Sequence, residues 1–220
     1  MSLRSLLSCL LLLAAALFPA TPAAAQGTGR PGDFDFYVLS LSWSPSYCEA
    51  TGDQRHDVQC ARPFGFVVHG LWPQYERGFP SDCAYSGRLP DALVRAQLDL
   101  FPAFGLVIHE WRKHGTCTGL EAAAYFKAVR DAFATIAVPP AYGALDKPQM
   151  ADTAQIETDF IAANKGLAAG EIAVVCDTRR LQEVRICLNK DLKTFHPCPQ
   201  VDRGSCRLPK VYMPAVRGAH

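Results

Sequence analysis

Apolar positions crowd into short runs near both ends of the chain and recur at helical spacing through its middle. Residues 33–43, DFDFYVLSLSW, are dense in aromatic and aliphatic side chains and predict a strand. Residues 64–73, FGFVVHGLWP, predict a second strand that breaks at Gly70 and Pro73. The stretches 44–63 and 74–90 read as loops. Residues 90–100 predict a helix, with Asp91 near its start to suit the helix dipole. VIHEWRKHG predicts another, stopped by Gly115. The strongest helical signal covers 120–133, where Tyr125, Val129 and Phe133 recur at four-residue spacing with Phe126 beside them. Past Pro139, Pro140 and Pro148, DTAQIETDFIAANKG predicts a helix capped near Asp152 and ending at Gly166. Strand-like runs return in EIAVVCD and LQEVRICLNK, divided by TRR as in a hairpin, with a last candidate at 211–213. Strands at both ends and helices between them predict an α+β domain: a central antiparallel β-sheet with flanking α-helices.

One apolar run belongs to no such element. Residues 6–18 are almost unbroken Leu and Ala, preceded by Arg4 and followed by Ala23, Ala24 and Ala25. A positive start, a short apolar stretch and small residues predict an export signal cut before Gln26. The run is short for a membrane span. The expectation is a single exported domain over 26–220, with no membrane contact once the leader is gone.

Charge and cysteine content narrow the chemistry. The chain has 22 basic and 21 acidic residues, and Arg4 leaves with the leader. So balanced a protein has no global field to gather a polyanion, so any nucleic-acid contact must come from a local basic cluster. Of 9 cysteines, Cys9 lies in the leader. Cys48, Cys60, Cys83, Cys117, Cys176, Cys187, Cys198 and Cys206 remain, an even set that reads as disulfides in an exported chain. No C-x-x-C pair is present, which argues against a zinc ribbon or a thioredoxin-like site. Counting alone leaves the pairing open.

The densest chemistry is HEWRKHG. On a helix, His109 and Lys113 lie four apart, as do Glu110 and His114, so all four share one broad face while Trp111 and Arg112 point elsewhere. Trp111 is a candidate core anchor. Histidine gives and takes protons near neutrality, and lysine can neutralise a developing anion. The plainer alternative is a surface helix with ordinary pairs such as Glu110 with His114. His69, at the end of an apolar run, is either a satisfied core histidine or a functional group at a strand end. A zinc protease motif would need the second histidine four residues after the first. Here it is five after, and Lys113 holds the fourth place, where its charge repels a divalent ion. Neither a metal nor another cofactor is expected.

FVVHGLWP followed by HEWRKHGTC resembles the two active-site segments of the ribonuclease T2 family, in the same order. YVLSLSW and LQEVRICLNKDL extend the resemblance over most of 26–220. It implies an endoribonuclease that cleaves single-stranded RNA without metal, through a 2′,3′-cyclic phosphate and with low base specificity. By the same resemblance His114 is the general base and His69 the general acid. Glu110 and Lys113 stabilise the phosphorane, His109 binds phosphate, and Trp72 stacks on a base. It further implies the pairs Cys48–Cys60, Cys83–Cys117, Cys176–Cys206 and Cys187–Cys198. The chain departs from the family at Gln74, where Asp or Asn is common in a position linked to base choice, and at Leu106 and Val107, where an aromatic is common. RNA is thus the expected partner, and no feature demands more than a monomer. The competing class is an exported RNA-binding or toxin-like protein that has kept the fold without turnover; a metal hydrolase is a weaker third. Neither Asn164 nor Asn189 begins a glycosylation sequon, which with the Ala-rich leader points to a periplasm.

Overall fold

The computed structural model describes residues 29–218, apart from Gln54, Tyr85, Ser86 and Ala144. The expected export signal lies outside them. The first strand, β1 (Phe36–Trp43), runs into a four-residue helix, α1 (Ser44–Tyr47). Strand β2 (Phe66–Gln74) follows, then α2 (Asp91–Arg95), α3 (Phe104–Lys113) and α4 (Ala122–Ala134). The remainder is β3 (Gln149–Asp152), α5 (Thr153–Ala163), β4 (Ile172–Cys176), β5 (Leu181–Leu188), α6 (Pro199–Asp202) and β6 (Lys210–Met213). A four-stranded sheet has the order β2-β1-β5-β4, with every neighbouring pair antiparallel. The architecture is α+β with flanking helices, as expected.

The two faces of this sheet differ. Leu39, Leu41 and Trp43 of β1 and Val184 and Ile186 of β5 point into the main core. There they meet Trp111 of α3, Tyr125, Phe126 and Val129 of α4, and Ile156 and Phe160 of α5. The other face packs only a small cluster, Phe36, Val38 and the Cys187–Cys198 pair, with Trp72 against it. Side chains alternate along a strand, so Ser42, Glu183 and Arg185 fall on this less covered face.

Several expectations need correcting. The second strand does not break at Gly70. Ser40 faces Gly70 while Leu41 faces Val68, so His69 is the unpaired extra residue of a β-bulge. The bulge lets Val68 and Leu71 both reach the core. Pro73 is tolerated because β2 is an edge strand. The loop expected at 44–63 contains α1, a π-turn at Cys48–Gly52 and a 3-10 turn at Val58–Ala61. In 90–100 only Asp91–Arg95 is α-helical. Strand β3 was not expected: its exposed QMAD has no apolar alternation and exists by pairing with β6. Gly115 is not the stop of α3, whose last residue is Lys113. Its role is space, because a Cβ there would run into Trp111 and Tyr125. The left-handed turn comes at Gly119, φ 75°.

Asp152 caps α5 as expected, its carboxylate accepting from the backbone N–H of Ala154 and Gln155. All four implied disulfides form. Cys83–Cys117 ties the loop after β2 to the turn beyond α3, and so fixes the end of the helix against the bulged strand.

Candidate active site

Three elements deliver the polar side chains. The bulge of β2 supplies His69, and Trp72 follows it one turn of the pleat later. Helix α3 supplies His109, Glu110 and Lys113, with His114 as its C-terminal cap residue. Strand β5 supplies Glu183 and Arg185. His69, Trp72, His109, Lys113, His114 and Arg185 line an open cavity of about 300 Å³. A larger one, about 690 Å³, shares His69 and His109 and extends past Ser42 and Glu183 towards Phe104 and Leu106. The two histidines therefore stand between the cavities.

The helix approaches the strand closely. Glu110 is 1% exposed, and its Oε2 accepts a 2.7 Å hydrogen bond from Trp72 Nε1–H. Its Oε1 lies 3.9 Å from His69 Nε2. A Cβ on residue 70 would collide with the Glu110 carboxylate and the Trp72 indole nitrogen, so only glycine leaves room for this contact. The Trp72 ring lies 5.3 Å from each of the His69 and His114 rings, and the Arg185 guanidinium stands 5.2 Å from its centre. On the opposite side, His69 Nδ1 is hydrogen-bonded to Glu183 Oε1 at 2.5 Å. Glu183 Oε2 accepts from Arg185 Nε at 2.8 Å.

Burial and these neighbours set the protonation states. Burial, with Lys113, His109 and His69 nearby, pushes His114 down to about 3, so it is neutral in ordinary buffers. Its Nδ1 is buried with no hydrogen-bond partner among the described residues. Burial alone would lower His69 too, but the hydrogen bond and charge of Glu183, helped by Glu110, raise it above the usual histidine value. Burial, Lys113 and His69 lower His109. Burial raises Glu110 to about 7 against the pull of His69, Trp72 and Lys113. Burial opposes charge on Glu183 as well, yet His69 and Arg185 bring it down to about 2. One wall thus offers a proton acceptor and another a proton donor, with an ammonium and a guanidinium between them. That is the equipment for acid–base chemistry on an anion.

The residues picked out from sequence, His69, Trp72, His109, Glu110, Lys113 and His114, all meet at this cavity. Gln74 lines it too, but is buried and gives its amide N–H to the Pro73 carbonyl. The Glu110–His114 pair of the plainer alternative does not form; Glu110 is hydrogen-bonded to Trp72 instead. Trp111 is the core anchor anticipated. Glu183, Arg185 and Phe79 were missed. For the first two a signal existed: charged residues two apart in the apolar run LQEVRICL must share one face of a strand.

Sequence and structure comparisons point the same way. The profile of the Ribonuclease T2 family matches residues 34–198. A ribonuclease of Aeromonas hydrophila is 48% identical over 109 residues, which cover 50% of this chain and 49% of that protein. A probable ribonuclease of Haemophilus influenzae is 36% identical over 128 residues, covering 51% and 47%. The chain spans about half the length of both relatives. The crystal structure of RNase NT in complex with 5′-AMP superposes with a TM-score of 0.63 at 23% identity, covering 83% of this chain and 99% of that one. That likeness shows the shared fold.

Proposed function

The chain belongs to the ribonuclease T2 family, and we propose that it is an exported endoribonuclease that cuts single-stranded RNA by transphosphorylation. The observation that carries this reading is the placement of His114 and His69 on separate elements facing one cavity, in surroundings that shift their pKa values in opposite directions. In-line displacement at phosphorus needs a base on one side and an acid on the other.

In this reading neutral His114 removes the proton of the ribose 2′-hydroxyl. The 2′-oxygen attacks the adjacent phosphorus, and a P–O2′ bond forms as the P–O5′ bond breaks. His69 gives its Nε2 proton to the departing 5′-oxygen. The products are a 2′,3′-cyclic phosphate and a 5′-hydroxyl. Lys113 neutralises the charge that grows on the non-bridging oxygens. Glu110, held near neutrality in pKa, can donate a hydrogen bond to one of them when protonated. Burial, followed by Lys113 and His69, lowers the His109 pKa in the free protein, and the charge of a bound phosphate would oppose that shift. Lys113 supplies the positive charge a metal would otherwise bring.

Trp72 and Phe79 border the smaller cavity; aromatic faces stack on any base, which favours low base specificity. The larger cavity beyond His69 and His109 suits the second nucleoside. The four disulfides favour an oxidising compartment, such as a periplasm or the cell exterior. Among the described residues no helix is long and apolar enough to cross a membrane. One chain supplies every proposed catalytic group, so the reading requires no partner subunit.

The decisive experiment uses a DNA strand with one ribonucleotide, incubated with excess EDTA. The expected result is a single cut after the ribose, leaving a 2′,3′-cyclic phosphate. Binding without cleavage would favour a protein that has kept the fold but lost turnover. Cleavage of the all-deoxy strand, or activity lost to EDTA and restored by zinc, would reject the mechanism.

A further inference from the structure

Glu183 and Arg185 have no role in the steps above, yet Glu183 makes the shortest contact at the site. Its side chain belongs to a residue only 8% exposed. Oε1 is hydrogen-bonded to His69 Nδ1 at 2.5 Å and lies 3.4 Å from the Ser42 hydroxyl. Oε2 accepts Arg185 Nε at 2.8 Å, with a second guanidinium nitrogen 2.7 Å away. Both carboxylate oxygens are therefore taken, and the carboxylate is fixed between β1 and β5. His69 stands on the unpaired residue of the β2 bulge, so no residue of β1 sits opposite it in the ladder.

We propose that Glu183, clamped by Arg185, is a positioning residue for His69: it holds the proton on Nδ1 and turns Nε2 to the leaving 5′-oxygen. The proposal rests on the RNA-cleaving reading and adds a member to its machinery. A free neutral imidazole can carry its proton on either nitrogen. With Glu183 accepting at Nδ1, that nitrogen keeps its proton in both states and only Nε2 exchanges. Nε2 is the atom on the Glu110 side, where the cavity opens. A carboxylate that orients a histidine this way and stabilises its charged form is the logic of catalytic triads.

The charges around His69 decide whether Glu183 matters. Glu183 and Arg185 face it from β5, and Glu110, His109 and His114 from α3 and its cap. Burial and Arg185 oppose charge on the ring, and Glu183 makes the largest contribution in its favour, ahead of Glu110. Removing it leaves only Glu110 to favour the imidazolium. A Glu183–Arg185 ion pair out of contact with His69 would have no such effect on titration.

Glu183→Gln keeps the shape and removes the charge. The expected kcat falls by roughly 10- to 100-fold, less than the roughly 10²–10⁴ of an entire general acid, while KM for a dinucleotide changes little. The alkaline limb of the kcat/KM profile moves to lower pH, because His69 gives up its proton sooner. Glu183→Asp, which keeps the charge, holds that limb above the Gln variant. A second measurement needs no variant: ¹⁵N NMR of histidine-labelled wild type should find neutral His69 protonated on Nδ1. A neutral ring protonated on Nε2, or an unmoved alkaline limb in folded Glu183→Gln, overturns the proposal alone. Wild type that does not cut RNA overturns the function and the proposal with it.

Discussion

The indole N–H of Trp72 reaches the Glu110 carboxylate at 2.7 Å across a gap that exists because residue 70 has no Cβ. Strand and helix are thus joined by a polar contact at the floor of the site. Gly70→Ala should force the two apart. Overpacking of this kind typically costs about 1–3 kcal/mol, and both partners are functional groups. The variant should remain folded by circular dichroism, unfold at lower urea, and cut RNA at a small fraction of the wild-type rate. Wild-type activity from a stable Gly70→Ala protein would show that the contact is dispensable.

Glu110 carries a stability cost of predictable sign. Its folded pKa of about 7 stands above the ordinary 4.5, so folding favours the protonated carboxyl. The unfolded chain loses its proton first. Stability is therefore fully present below about 4.5 and is lost as pH rises towards about 7, levelling off above. Glu110→Gln removes that loss. It should be more stable than wild type at pH 8, by on the order of 1–3 kcal/mol, and no more stable at pH 4, while turning over more slowly. Thermal melts at the two pH values test it; an equal difference at both would refute the assignment of the cost to ionisation.

Most of this site was legible because its residues are local in sequence. His109, Glu110, Lys113 and His114 are neighbours on one helix face, and helical periodicity alone groups them. His69 stood out as a polar residue in an apolar run. The bulge that presents it was not legible, because it depends on how β1 registers against β2. Nor was the link from Ser42 to Glu183, groups 141 residues apart that the sheet order brings side by side. Strand β3 was missed for the same reason: its partner lies at the far end of the chain. Local patterns reveal faces, whereas pairing between distant strands decides which faces meet.

The Cys83–Cys117 bridge should matter for catalysis as well as stability. It closes a 34-residue separation and anchors the turn directly beyond His114. Losing a native disulfide typically costs about 2–5 kcal/mol. Replacing both cysteines by alanine should lower the melting temperature and depress kcat even well below the melt, since His114 would sit on a looser helix end. Replacing Cys176 and Cys206, which lie at the β4 end of the sheet, should lower stability with less effect on kcat. Equal loss of kcat in both double variants would argue that the bridges act on global stability alone. Thiol titration of the denatured, unreduced wild type should find none of these cysteines free.

Lys113 joins the two halves of the mechanism, because it faces both the proposed phosphorane and the base. Its charge helps hold His114 down to about 3 and also lowers His109. The wild-type kcat/KM profile should therefore extend far to the acidic side, falling only near the low pKa of His114. Its alkaline limb should lie above the usual histidine value, where His69 loses its proton. Lys113→Ala should change two things at once. Loss of a preorganised charge at the developing anion should lower kcat by roughly 10²–10³-fold with a smaller change in KM, since that charge matters most in the transition state. Loss of its repulsion should let His114 take a proton more readily, so the acidic limb moves to higher pH. Both effects can be read from one set of dinucleotide kinetics measured against pH. A drop in kcat with the acidic limb unmoved would mean that His114 is not the base that limb reports, and its part in the reaction would pass to another group, His109 first among them.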